Sequence, residues 1–137
     1  MSNLGRGRVL RARVESSTCA IRYYDPQAVQ EHRFSLPAVP YLKCAAVHDA
    51  EGGFVTLFLL NRHLQEELAL EVELRCFGSA TVVSAETMRH DDLSATNTRD
   101  APDHVAPQPL QGAVAQENRL QATLPAASWS VIRLKLG

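Results

Sequence analysis

Residues 54–60 form an apolar run, Phe-Val-Thr-Leu-Phe-Leu-Leu, interrupted only by Thr56 and rich in β-formers. A run without a polar phase is the pattern of a strand covered on both faces. Residues 67–74 behave differently. Leu68, Leu70, Val72 and Leu74 alternate with Glu67, Ala69, Glu71 and Glu73. Period two over a strand length gives one buried and one wet face. The polar stretch 61–66 between them predicts an antiparallel hairpin at the centre of the domain. Upstream, residues 41–48 read as a strand with Leu42, Cys44, Ala46 and His48 on one face. The Asp-Ala-Glu-Gly-Gly loop at 49–53 leads from it into Phe54, since glycine adopts positive φ without steric cost. The expected unit is a three-strand meander over 41–74.

Other segments extend the pattern. Arg8–Val14 can point Leu10, Ala12 and Val14 inward, and Thr18–Tyr24 is a second β-like run. Ala28–His32 has room for one helical turn before Pro37 and Pro40 force an extended path. Gly78 marks a turn before a strand at 80–88. Residues 89–109 lose the pattern, being polar with three prolines. They predict a long ordered loop lying over the domain, a kind of segment that is functional or packs on a neighbour. Residues 111–115, 120–124 and 130–136 close the chain as short strands, with turns at Glu117-Asn118 and at 125–127. Many short strands without helical periodicity predict an all-β fold, an antiparallel, jelly-roll-like β-sandwich.

Composition narrows the class. A chain of 137 residues, 45% hydrophobic and 21% charged, suits one globular domain. A net charge of −1 gives no general attraction to nucleic acid or an anionic membrane. No apolar run reaches the ~18 residues of a membrane span, and the N-terminus lacks the apolar core of a signal peptide. Cytoplasm is the expected compartment. Cys19, Cys44 and Cys76 lack metal-ligand spacing and are expected as buried free thiols. Arg6, Arg8, Arg11, Arg13 and Arg22 cluster without the aromatic platforms of a nucleic-acid surface, and read as a solvated strand face or a surface that docks on an acidic neighbour.

Three imidazole–carboxylate neighbours invite a catalytic or metal reading: His48-Asp49, His90-Asp91-Asp92 and Asp103-His104. None has the spacing that converges ligands on regular structure. They are expected as turn residues whose aspartates cap local backbone amides. A small hydrolase built on His90 and Asp92 is the enzymatic alternative. No nucleophile elbow and no phosphate-binding glycine loop occur. The single tryptophan, Trp129, is expected to pack in the C-terminal core. Sugar binding would need exposed coplanar aromatics, for which Tyr23, Tyr24, Tyr41 and Trp129 are the candidates.

Four segments together resemble the C-terminal domain of family fifty-one α-L-arabinofuranosidases. They are VPYLKCAAVHDAEGGFVTLFLLNR (39–62), DDLSATNTRDAPDHVAP (91–107), LPAASWSVIRL (124–134) and, more weakly, GRGRVLRARVESST (5–18). Residues 19–38 depart most from the family pattern. The resemblance implies a sandwich that follows a TIM barrel. It makes residues 1–18 the segment leaving that barrel with a first strand, and residues 19–137 the sandwich. Chemistry in such an enzyme is that of a retaining glycosidase, with two carboxyl groups ~5–5.5 Å apart on the barrel. The family's acid/base glutamate follows an asparagine, and no Asn-Glu pair occurs among the nine glutamates here. No catalytic residue, cofactor or metal ligand is therefore assigned to this chain. Its expected partners are the N-terminal barrel, arabinose-containing glycans reached through the parent enzyme, and further copies in a homo-oligomer. The resemblance also implies that the sandwich borrows strand from the enzyme's N-terminus. The runner-up role is a carbohydrate-binding module for arabinan or arabinoxylan.

Overall fold

The computed structural model describes residues 2–24 and 33–137. A short 3-10 turn, Ser2–Leu4, is followed by eleven strands. These are β1 (Arg8–Leu10), β2 (Thr18–Tyr24), β3 (Arg33–Pro40), β4 (Leu42–Asp49), β5 (Phe54–Asn61), β6 (Leu68–Glu73), β7 (Ala80–Met88), β8 (Gln108–Pro109), β9 (Val114–Gln116), β10 (Arg119–Leu124) and β11 (Ser128–Leu136). One sheet runs β1-β4-β5-β11-β7-β8, and a smaller one runs β6-β10-β9. Every pairing is antiparallel. The two sheets face each other as a β-sandwich, and β2 with β3 forms a separate two-stranded ribbon. The helical turn expected at 28–32 falls outside the described residues.

The core lies between the two sheets. Leu42, Ala46, Val55, Leu57, Leu59, Ile132 and Leu134 from the larger sheet meet Leu70, Leu120, Ala122 and Leu124 from the smaller one. Leu120, Leu124, Ile132 and Leu134 have no solvent exposure. Burying each such side chain contributes about 1.5–3 kcal/mol.

Strand β5 is indeed central, but its partners correct the predicted hairpin. It pairs with β4 on one edge and β11 on the other, whereas β6 pairs with β10 in the opposite sheet. The expected meander therefore stops at β4–β5. With both edges of β5 occupied, the chain has to leave the sheet at Asn61. That side chain, 1% exposed, guides the crossing. Its Nδ2 lies 3.1, 3.2 and 2.9 Å from the carbonyl oxygens of Glu66, Leu124 and Pro125. Its Oδ1 accepts the His63 amide at 2.9 Å. One amide thus ties together the β5–β6 crossing and the β10–β11 crossing, which run side by side. The turn expected at 125–127 is accordingly a corner between sheets.

Two further expectations are revised. Within 8–14, only residues 8–10 form a strand, and Leu10 packs on the core while Ala12 and Val14 are exposed. Gly7 (φ 132) allows this approach, because a Cβ there would collide with the His48 carbonyl oxygen. In the 49–53 loop only Gly53 needs positive φ, at 64°. Gly52 instead gives up its side chain for room beside the Asp49 carboxylate, which accepts its N–H at 2.9 Å.

Because Asn61 satisfies several buried carbonyls at once, Asn61→Ala is expected to lower unfolding free energy by about 2–4 kcal/mol. Gln121→Ala on the exposed side of β10 should stay within about 0.5 kcal/mol. Urea unfolding followed by circular dichroism compares the two; equal midpoints would remove Asn61 from this role.

Candidate functional site

The long loop 89–107 is closed by one side chain. Asn97 donates from Nδ2 to the Val105 carbonyl at 3.0 Å and accepts the Val105 amide on Oδ1 at 2.6 Å. A side-chain amide here imitates a strand neighbour and joins the two ends of the segment 97–105. Thr98 adds a second tie, its hydroxyl accepting the Ala101 amide at 3.1 Å and its own amide donating to the Ala101 carbonyl. Asp92 accepts the amide and hydroxyl of Ser94 at 2.9 and 2.6 Å. These bonds, the hydroxyl's first, hold its carboxyl below the usual 3.8, with smaller help from His90 and His104. Asp91 pairs with Arg89 at 2.9 Å.

Loop closure brings together what the sequence holds apart. The His90 and His104 rings lie 4.7 Å apart, so two of the three imidazole–carboxylate candidates share one place. His90 Nδ1 is already engaged with the backbone of Asp92. His48, the third, is remote from them, its ring edge-on to Phe77 at 4.9 Å. Asp49 and Asp92 both cap local amides, which is the turn role expected for them.

Beneath the loop lies a shallow cleft of about 220 Å³ lined by Leu60, Met88, His90, Asp92, Leu93 and Trp129 among others. That is smaller than the ~300–1,000 Å³ typical of small-molecule sites. Its polar groups bond chiefly to the loop's own backbone. No group of three metal-ligating side chains forms among the described residues. Glu73, the other shifted carboxyl, is held down chiefly by its bond to Arg75 on the exposed side of the smaller sheet.

Trp129 is not in the core. On β11 the small residues Ser128 and Ser130 point inward, satisfied by the Pro125 carbonyl at 2.6 Å and the Thr87 hydroxyl at 2.8 Å. Trp129 points outward, its ring 6.2 Å from Phe58 with 25° between planes. Phe58 is the aromatic partner that sequence reasoning missed; its place opposite Trp129's neighbour Val131 in the β5–β11 register is the signal that finds it. Tyr41 leans on His63 with ring centroids 4.6 Å apart. The side chains of Tyr23, Tyr24 and Arg22 fall outside the described residues. Arg13 pairs with Glu15 in solvent, and Arg6, Arg8 and Arg11 are exposed. Of the thiols, Cys44 is buried enough to raise its pKa, but Cys76 is exposed, against expectation.

Three outcomes follow. Asn97→Ala should raise amide hydrogen exchange across 95–106 while global stability falls by less than about 1.5 kcal/mol, since the bonds lost are exposed. Asp92 has a depressed carboxyl, so its help to the loop is complete above 3.8 and fades as pH falls through its lower folded value. Exchange at 93–95, taken relative to the intrinsic rate at each pH from 6 downward, should speed up only in that acid window. With a thiol reagent at pH 8, Cys76 should react ahead of Cys44.

A family model for the alpha-L-arabinofuranosidase C-terminal domain matches residues 1–128. The intracellular exo-α-(1→5)-L-arabinofuranosidase of Halalkalibacterium halodurans is 33% identical over 130 residues, covering 95% of this chain and 23% of that protein. The enzyme of the same description from Streptomyces lividans is 35% identical over 132 residues, 96% of this chain and 18% of its own length. The chain thus spans about a fifth of these curated relatives. Among solved structures, the α-L-arabinofuranosidase of Thermotoga maritima superposes with a TM-score of 0.78 at 22% identity, over 97% of this chain and 27% of that one. The GH51 α-L-arabinofuranosidase of Thermotoga petrophila gives 0.74 at 21% identity, over 94% and 26%. These superpositions support the sandwich, and the sequence matches carry the relationship: this chain belongs to the family of α-L-arabinofuranosidase C-terminal domains.

Proposed function

We propose that this chain is the non-catalytic accessory domain of an enzyme that hydrolyses terminal α-L-arabinofuranosyl residues from arabinose-containing glycans. It packs on an N-terminal catalytic barrel, stiffens it and supports subunit contacts in a homo-oligomer. Residues 1–18 lead in from the barrel and carry the first strand, and residues 19–137 make up the rest of the sandwich domain. The observation that carries this reading is the spending of the loop's polar groups. Asn97, Thr98 and Asp92 all bond to the loop itself, which supports a scaffold role for it. Retaining chemistry needs two carboxyl groups ~5–5.5 Å apart across a sugar; in this reading the barrel supplies both. The relatives' description as intracellular supports a cytoplasmic setting and a place in arabinose metabolism.

A targeting role is the second reading, favoured by the near-parallel Phe58 and Trp129 rings. Sugar rings stack on such surfaces because their C–H faces meet the π-cloud.

The 137-residue chain is expected to release no aryl alcohol from an aryl α-L-arabinofuranoside. Turnover that survives repurification and disappears on substituting one of its glutamates would overturn the accessory reading.

A further inference from the structure

The two outward faces of the sandwich differ in kind. On the smaller sheet, Ala69, Glu71, Glu73, Arg119, Gln121, Thr123 and Gln116 face solvent, with Arg119 bridging Glu71 at 3.4 Å and Glu73 at 3.9 Å. That face is built for water. The larger sheet's outward face is apolar across its middle. Register places Val9, Val47 and Thr56 in one row, Ala45, Phe58 and Val131 in the next, and Leu60, Trp129 and Met88 in a third. Val9 is 75% exposed, and Phe54, Phe58, Leu60, Trp129 and Met88 are part-exposed. None of these belongs to the core between the sheets. Val47, Thr56 and Val131 are buried beneath their neighbours, and the part-exposed apolar residues around them are the kind of patch that marks an interaction site.

In the midst of it stands Arg133. Its guanidinium lies 4.0 Å over the Phe54 ring, and its Nε is buried without an acceptor. Among the described residues it enters no ion pair. A guanidinium is always charged and offers five donors in a planar fork that fits a carboxylate. Leaving it uncompensated beside apolar neighbours is costly unless a partner brings the acceptor. Lys43 and Lys135 lie on the same face by register, against the exposed carboxylate of Glu86 and the half-buried one of Asp49, which already accepts the Gly52 amide. The face is therefore complementary to an apolar surface carrying acidic groups. A second copy of this chain would bring the same basic excess rather than added acidic groups.

We propose that the outward face of the six-stranded sheet is the surface that docks the catalytic domain, and that a carboxylate of that domain completes Arg133. This rests on the accessory reading above. Four-fifths of each curated relative lies outside the matched segment, which supplies the occupant. Phe58 and Trp129 form the apolar centre, Arg133 the buried charge contact, and Lys43 and Lys135 the polar rim.

The test is a chimera in which this chain replaces the matched segment of the Streptomyces lividans enzyme, melted in a calorimeter beside the isolated chain. Wild type should melt in one cooperative transition. Arg133→Met and Phe58→Asp should each split it in two, while Gln121→Lys on the opposite face leaves it single. In the isolated chain Arg133→Met should hold or raise the melting temperature, because it removes an unpartnered charge and keeps the apolar stem. Opposite effects of one substitution in the two settings are the signature. A wild-type chimera that melts as two independent units, or does not fold, sinks the accessory reading together with the docking face. A single transition indifferent to both face substitutions sinks the docking face alone. Saturable titration of the isolated chain by arabino-oligosaccharides, lost in Phe58→Asp, makes the face a glycan platform and overturns the proposal. So does a dimer of the isolated chain, seen by light scattering, that Phe58→Asp dissociates.

Discussion

Strand β11 is hydrogen-bonded along one edge to β5 and along the other to β7. Its inward residues from Ser128 to Leu134 are closed to solvent. Two-sided pairing places its backbone donors and acceptors in two ladders, and burial leaves water unable to replace a lost bond. The rest of the architecture adapts to this strand. Because β11 occupies the second edge of β5, β6 is sent to the other sheet. Because β10 must release the chain into β11, the two crossings meet at Asn61. The bulge between Arg133 and Leu134 absorbs the mismatch with β7 and leaves Val83 at the surface.

Polar groups in this molecule are used for construction. Asn61 at the corner, Asn97 in the loop, Asp49 at the hairpin and the Ser130–Thr87 hydroxyl pair each replace a backbone or water partner at a place where the chain changes direction or layer. Arg133 is the exception. It is placed as carefully as the others, on the central strand, yet its buried Nε has no acceptor among the described residues. The contrast separates the groups that build the sandwich from the one that reaches beyond it.

Much of this was legible from residue order alone. Alternation over 68–74 identified the buried face of β6, and the lack of a wet phase in 54–60 identified β5 as central. Periodicity reports faces, however, and is silent about neighbours, so the β5–β6 hairpin was misassigned. At Trp129 polarity misled: serines flanking an aromatic suggest an inward ring, but hydroxyls with partners are easily buried, and here the serines take the inside. The meeting of His90 and His104 depends on Asn97 reaching Val105, a tertiary closure with no periodic trace. Phe58 looked like one more core residue until its register showed which side it faced. The partners of the described thiols and histidines likewise came only with the packing.

The order of synthesis meets the order of assembly at β11. The strand in the middle of the larger sheet follows all the others in this chain. While β5 and β7 emerge from the ribosome, each waits with an open edge for a neighbour that has not been made. Pairings of such long sequence separation form slowly, and open edges in the interval favour association with the wrong chain. A chain built in this order gains most from whatever shields those edges until β11 arrives.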